Sequence, residues 1–251
     1  MRKRDLLENR RRFDNNPPML AVRSKLLACA QLMRLPNAFT AVADPLAGWF
    51  VVGGAERSWQ LALLAGASAC LYTSGVVFND CFDYELDCRE RPERPLPNGA
   101  ISRPAGWTIA VSLMIAGLVL AACAGKSAFG IGVFLAAMIF FYNAWARRFA
   151  ALRPLVLGSC RFASFLLGMR DAPPQLWWMP AVLGAYAGAI TFLSRHEADN
   201  PGLQRTIKWL LLGIIVVDAA LVAARGDWIG ALIVLSLLVP ALALGRFLAM
   251  T

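Results

Sequence analysis

The chain has 251 residues, 58% of them hydrophobic and 16% charged, and its mean hydropathy is +0.55. A soluble domain is about a quarter charged, so this chain lacks the polar surface to coat itself in water, and an ordinary soluble enzyme is excluded. Its apolar excess lies in long runs rather than in Pro, Gly or Cys, which excludes a disordered, collagen-like or disulfide-stapled chain and leaves a polytopic membrane protein.

Residues 1–33 open the chain with Arg2, Lys3, Arg4, Arg10, Arg11, Arg12, Arg23 and Lys25 against Asp5, Glu8 and Asp14. No apolar run follows the opening charges, so the segment does not read as a cleavable signal. It is expected to be a basic cytoplasmic juxtamembrane arm lying on anionic lipid, with a disordered or nucleic-acid-binding tail as the alternative. Residues 34–251 read as one transmembrane domain. Apolar stretches fall at about 35–54, 59–79, 105–125, 128–146, 154–169, 174–194, 207–224 and 228–248, which predicts an all-α bundle of about eight membrane-spanning helices.

With the N-terminus inside, twenty Lys and Arg residues lie on the inner face. Four lie on the outer face (Arg57, Lys126, Arg170 and Arg225), and Arg161 lies within a span. That asymmetry predicts a cytoplasmic N-terminus and cytoplasmic loops after the even-numbered spans. The net charge of +9 is accounted for in this way, and no nucleic-acid partner is expected. The six cysteines form no CxxC and no Cys/His cluster, so neither a disulfide framework nor a zinc site is expected.

The second span ends in Asn79-Asp80-Cys81-Phe82-Asp83-Tyr84-Glu85-Leu86-Asp87. If the helix continues, Asp80, Asp83 and Asp87 stand at i, i+3 and i+7 on one face, with Asn79 beside them. Like charges stacked in this way repel unless a cation lies among them. Three carboxylates and an amide oxygen are hard ligands suited to Mg2+, which commonly bridges to substrate phosphates. A solvated acidic helix end is the alternative. Pro92, Pro95 and Pro97 then stop the helix and suit a loop that caps a cavity.

Asn79-Asp80-x-x-Asp83-x-x-x-Asp87 resembles the first aspartate-rich motif of the UbiA superfamily of intramembrane prenyltransferases. Arg94-Pro95-Leu96-Pro97-Asn98-Gly99-Ala100-Ile101-Ser102 is similar to the continuation of that motif, Arg34-Leu35-Pro36-Asn37 to the entry to the family's first helix, and Tyr142 with Arg147 to a pattern ending its fourth. The resemblance runs in order along residues 34–205. It implies a helical bundle around a central lipid-accessible cavity with a cytoplasmic loop cap. It also implies an enzyme that moves an isoprenyl group from a prenyl diphosphate to a small aromatic or hydroxylated acceptor, with Mg2+ assisting departure of the diphosphate.

On that resemblance Asp80, Asp83, Asp87, Tyr142 and Arg147 are candidate catalytic residues. Arg34, Asn37, Asn79, Arg94, Arg161, Arg195 and His196 are candidate substrate contacts, and Asn79, Asp80, Asp83, Asp87, Glu197 and Asp199 candidate metal ligands. Phe78, Phe82, Tyr84, Tyr142 and Trp145 could shield an allylic cation or form an interfacial belt. The arginines could instead only set topology, and His196 could be structural.

Three features depart from the family. Ser194 stands where its second motif begins with aspartate, Glu197 and Asp199 keeping two carboxylates nearby. Eight spans are read where nine are usual. Arg161 lies in mid-span, where a charge costs at least about 2.5 kcal/mol and demands a partner. Asp44 is a possible counter-ion, while Asp218 is read as structural. A carrier for an anionic lipid, or a protein that binds isoprenoid diphosphate without turnover, is the competing class.

Overall fold

A computed structural model describes residues 18–54, 58–194 and 201–246, and helices account for nearly all of them. In order they are α1 (Pro18–Leu32), α2 (Leu35–Val51), α3 (Ser58–Phe82), α4 (Tyr84–Glu90), α5 (Arg103–Ala124), α6 (Lys126–Ala144), α7 (Leu152–Gly168), α8 (Trp178–Leu193), α9 (Pro201–Ala223), α10 (Trp228–Ser236) and α11 (Leu238–Gly245). Helices satisfy every backbone hydrogen bond within the segment, the condition for crossing lipid.

The expected spans map onto α2, α3, α5, α6, α7, α8, α9 and the α10–α11 pair. Six stretches among the described residues are at least 18 residues long and apolar enough to cross a bilayer, and the bent pair α1–α2, broken by 46°, makes a seventh. The remaining expected span is α7, 17 residues long and bearing Arg153 and Arg161, which is why length and hydropathy alone pass over it. The last span is interrupted at Leu237 because Pro240 has no N–H to offer the carbonyl of Ser236.

Helix α2 is central: it packs against α3, α7, α9, α10 and α11. Its crossing with α7 is backbone against backbone. A methyl group on Gly48 would collide with the Phe165 carbonyl, and one on Gly168 with the Pro45 carbonyl. Lipid supplies no hydrophobic drive for helices to associate, so close approach through small residues has to supply packing instead. Gly158 and Gly184 do the same for α7 and α8. Enclosure on so many sides leaves Asn37, Thr40 and Asp44 of α2 buried, each 6% exposed or less.

The C-terminal part of the expected basic arm is helical and docked. Ala28 and Leu32 of α1 are buried in a cluster with Val77, Phe78 and Cys81 of α3, Leu96 and Ile101 of the loop after α4, and Ala110 of α5. That loop, residues 91–102, is held by Leu96 and Ile101 beneath it and by the Asn98 side chain. Asn98 Nδ2 donates to the Glu93 carbonyl at 2.9 Å, and its Oδ1 accepts from the Ala100 N–H at 2.8 Å. Gly99 takes the left-handed backbone (φ 79°) that the reversal requires. The proline-bearing loop therefore folds back over the end of α3, as the sequence predicts for a cap.

Candidate active site

One end of the bundle gathers three carboxylates and three guanidiniums from five segments. Asp80 lies in the last turn of α3, and Asp87 in α4. The continuous helix expected between them is interrupted at Asp83, whose backbone (φ −87°, ψ 4°) caps α4. The Asp83 N–H still donates to the Asn79 carbonyl (2.9 Å) and the Asp87 N–H to the Asp83 carbonyl (2.8 Å), so the bend is pinned on both sides of Asp83. The acidic stripe survives, but its members face different partners.

Asp80 Oδ1 accepts from Arg34 Nη2 at 3.0 Å and from Arg94 Nη1 at 3.3 Å; the same Arg94 nitrogen lies 2.7 Å from Asp87 Oδ2. Asp83 pairs with Arg147 through Oδ1 and accepts from Asn79 Nδ2 at 3.1 Å through Oδ2. Asp80 and Asp87 are buried, with side chains 5% exposed, and Arg94 is nearly so. Among the described residues no three carboxylate, thiol or imidazole groups converge into a ready-made metal cage. The donor set is nevertheless one a hard divalent ion takes. Two carboxylate oxygens lie within hydrogen-bond distance of a single cationic nitrogen, and among the described residues the buried Arg147 Nε meets no acceptor.

Each arginine is placed by local structure. Arg34 sits at the α1–α2 bend in the left-handed region (φ 45°, ψ 51°), among the described residues the sole non-glycine with positive φ. A side chain there costs on the order of 1–3 kcal/mol and persists where surrounding structure imposes it. Arg94 comes from the capping loop. Arg147 follows α6 in a short 3-10 turn at Ala146–Arg148; its carbonyl accepts from Arg153 Nε at 2.6 Å, and its guanidinium lies 5.6 Å from the centre of the Phe82 ring. Tyr142, one turn earlier, is near enough to feel the charges of Asp83, Arg147 and Arg153.

Beside the acidic end stands an aromatic cluster. Phe82 lies 5.0 Å from Trp107 and 6.4 Å from Phe140 between ring centres; Phe78 lies 5.6 Å and 6.3 Å from the same two rings. Phe78 and Phe82 were legible in the sequence. Trp107 and Phe140 were not, although both occupy the inner ends of predicted spans, and Asn143, which ties α6 to α3 through the Gly75 carbonyl at 3.2 Å, was missed too. Trp145 belongs instead to an exposed ladder with Phe141 and Phe149, and Tyr84 lies under the Arg103 guanidinium at 4.8 Å.

Asn37 is buried on α2, its backbone N–H bonded to the Arg34 carbonyl at 2.9 Å. Arg161 is not brought to the acidic cluster. It meets the expected counter-ion: Nη1 lies 3.0 Å and 3.2 Å from the two Asp44 oxygens, and Nη2 2.7 Å from the Thr40 hydroxyl. Asp218 of α9 interacts electrostatically with both. The remaining expected site residues, Arg195, His196, Glu197 and Asp199, lie outside the described residues.

A family model for the UbiA prenyltransferase family matches residues 39–199. Among curated proteins, the digeranylgeranylglyceryl phosphate synthase of Methanothrix thermoacetophila is 28% identical over 174 residues, 68% of this chain and 65% of that protein. The protein of the same name from Thermococcus kodakarensis is 38% identical over 95 residues, 38% of this chain and 34% of its own length. The chain thus spans just under two thirds, or less, of these relatives.

Among solved structures, one of a digeranylgeranylglyceryl phosphate synthase in membranes superposes with a TM-score of 0.62 at 18% identity, covering 87% of this chain and 95% of that one. A UbiA homolog from Archaeoglobus fulgidus bound to GPP and Mg2+ gives 0.59 at 19% identity, covering 88% and 86%. These likenesses establish a shared fold.

Proposed function

The chain belongs to the UbiA prenyltransferase family, and from that premise we propose that it transfers an isoprenyl group from a prenyl diphosphate to a hydroxylated small acceptor at the inner face of the membrane. The observation that carries this reading is the alternation of Asp80, Asp83 and Asp87 with Arg34, Arg94 and Arg147 beside an aromatic cluster at a bundle end. A lipid-soluble substrate with a polyanionic head needs those three things together: cations for its oxygens, carboxylates for a counter-ion, and an apolar, polarisable wall for its chain.

In this reading Arg34, Arg94 and Arg147 bind the diphosphate oxygens, and the fork of each guanidinium matches a phosphate edge. Asp80, Asp83 and Asp87, with the Asn79 amide oxygen, would hold Mg2+. When bound there it neutralises charge on the diphosphate and makes it a better leaving group. The bond between C1 of the prenyl chain and the diphosphate oxygen breaks, and the electron pair leaves with diphosphate. Phe82, Phe78, Trp107 and Phe140 present ring faces to the allylic cation and keep water from it. The acceptor oxygen forms the new C–O bond and its proton passes to the released diphosphate, the Tyr142 phenol relaying it by giving up its own O–H proton as it takes one. The proposal extends the substrate contacts to Arg195 and His196 and the metal ligands to Glu197 and Asp199, in the segment after α8.

The orientation, with this end cytoplasmic, rests on the excess of Lys and Arg on that side of the sequence. A hydroxyl acceptor is favoured over an aromatic carbon by the relatives, whose names describe attachment to a glyceryl phosphate.

The test is diphosphate release by the purified full chain in detergent, given Mg2+, farnesyl or geranylgeranyl diphosphate, and either a glycerol-phosphate or a phenolic acceptor, with the product identified by mass spectrometry. Release that requires Mg2+ and is lost in Asp80→Ala and Asp83→Ala supports the transferase. Donor binding without release in the presence of every acceptor supports a non-catalytic binding protein instead.

A further inference from the structure

The two oxygens best placed to bridge a divalent cation are already bridged. Arg94 Nη1 lies 3.3 Å from Asp80 Oδ1 and 2.7 Å from Asp87 Oδ2. A cation ligated by both oxygens and this nitrogen compete for one position, because like charges at that separation repel strongly where water is scarce. The charges of the whole cluster point the same way. Among the described residues Asp80, Asp83 and Asp87 are balanced one for one by Arg34, Arg94 and Arg147, in a site where the carboxylates of Asp80 and Asp87 are almost fully buried. A divalent cation entering alone leaves unbalanced positive charge there. A diphosphate entering alone brings its charge up against three carboxylates. Entering together they cancel, the diphosphate drawing the guanidiniums and the carboxylates passing to the metal.

We infer that Arg94 is an exchangeable counter-ion that blocks the metal position until a diphosphate draws it away, so that divalent cation and prenyl diphosphate bind interdependently. The inference rests on the reading of this cluster as a diphosphate site. The exchange needs no loop opening. The Arg94 backbone is fixed by hydrogen bonds from its N–H to the Arg91 carbonyl (3.1 Å) and from the Asn98 N–H to its own carbonyl (3.0 Å), with Leu96 and Ile101 buried beneath, so the movement is confined to the side chain. Arg94 acts here as a positioning residue: it governs when Asp80 and Asp87 are free.

The experiment follows Mn2+ binding by its electron paramagnetic resonance signal in the purified full chain, with no diphosphate present. Arg94→Gln is expected to bind Mn2+ roughly tenfold more tightly than the parent, since one adjacent cation is gone, while its metal-free affinity for farnesyl diphosphate falls by a similar factor. Adding Asp80→Asn to Arg94→Gln is expected to abolish the gain, which assigns the ion to this cluster. Arg103→Gln, which removes the same charge from the exposed pair with Glu85, is expected to leave Mn2+ affinity unchanged.

A purely structural Arg94 predicts weaker Mn2+ binding as the cluster loosens, so unchanged or weaker binding in folded Arg94→Gln overturns the inference. If that variant does not fold, Arg94→Lys, which shortens the reach to both carboxylates, is expected to tighten Mn2+ binding several-fold, and no tightening there overturns it equally. None of these measurements reads turnover. Absent diphosphate release with the predicted Mn2+ response defeats the transferase reading alone; normal release with a flat Mn2+ response defeats this inference alone.

Discussion

Arg161 on α7 lies 3.0 Å from Asp44 on α2, an ion pair in the middle of the bundle joining the two helices that cross most closely. Its Asp44 partner is fully buried, and Thr40 takes the other Arg161 nitrogen. Removing one member of such a pair strands the other in a low dielectric and costs about 3–5 kcal/mol, whereas replacing both with apolar groups of similar volume is often close to neutral. Asp44→Leu and Arg161→Leu are therefore each expected to lower the thermal unfolding temperature in detergent sharply, and the double variant to recover most of the loss. A double variant as unstable as the sum of the two would show that the pair contributes nothing as a unit.

Arg34 couples strained backbone to a functional bond. Glycine occupies positive φ without penalty, so Arg34→Gly is expected to retain parental stability within about 1 kcal/mol, relief of strain offsetting the lost bond to Asp80. Arg34→Ala keeps the strain and is expected to be less stable than Arg34→Gly. Both are expected to weaken prenyl diphosphate binding. Thermal unfolding and ligand titration separate the two effects, and equal stability of the Ala and Gly variants would remove the strain argument.

The α2–α7 contact leaves no room for a side chain at Gly168, where a methyl group meets the Pro45 carbonyl and the Trp49 N–H. Gly168→Ala is expected to destabilise by about 1–3 kcal/mol through forced separation of the helices, and Gly168→Leu to prevent folding into monodisperse protein on size-exclusion chromatography. Gly130, where a methyl group meets nothing within 4 Å, is the control: Gly130→Ala is expected to fold normally.

The aromatic cluster should be read out in rate rather than in donor affinity. A cation–π contact contributes about 0.5–2 kcal/mol, so Trp107→Leu is expected to lower kcat for diphosphate release by roughly threefold to thirtyfold with little change in donor Kd. Trp145→Leu, in the exposed ladder with Phe141 and Phe149, is expected to leave kcat unchanged. Equal effects of the two substitutions would reassign Trp107 to packing.

Much of this protein is legible in contiguous residues. The apolar runs mark the helices because the free energy of placing a side chain in lipid is local and additive along a segment. The acidic stripe is legible because spacing along a helix fixes which carboxylates share an end. Even the Arg161–Asp44 pair follows from sequence, since an intramembrane charge needs an opposite one and few were available. The bend at Asp83 is not legible. No proline or glycine marks it, and it accompanies the different directions in which Arg94 and Arg147 draw their carboxylates.

The amino-acid order by itself thus determined the membrane class, the helical spans, the motif that carries the family resemblance and the existence of an acidic end. Only the packed bundle decided which arginine meets which aspartate, that one Arg94 nitrogen bridges two carboxylates, and that Trp107 and Phe140 stand over Phe82. Those pairings join residues from 7 to 64 positions apart in the chain. They depend on helix crossings and on a folded-back loop, which no local period encodes.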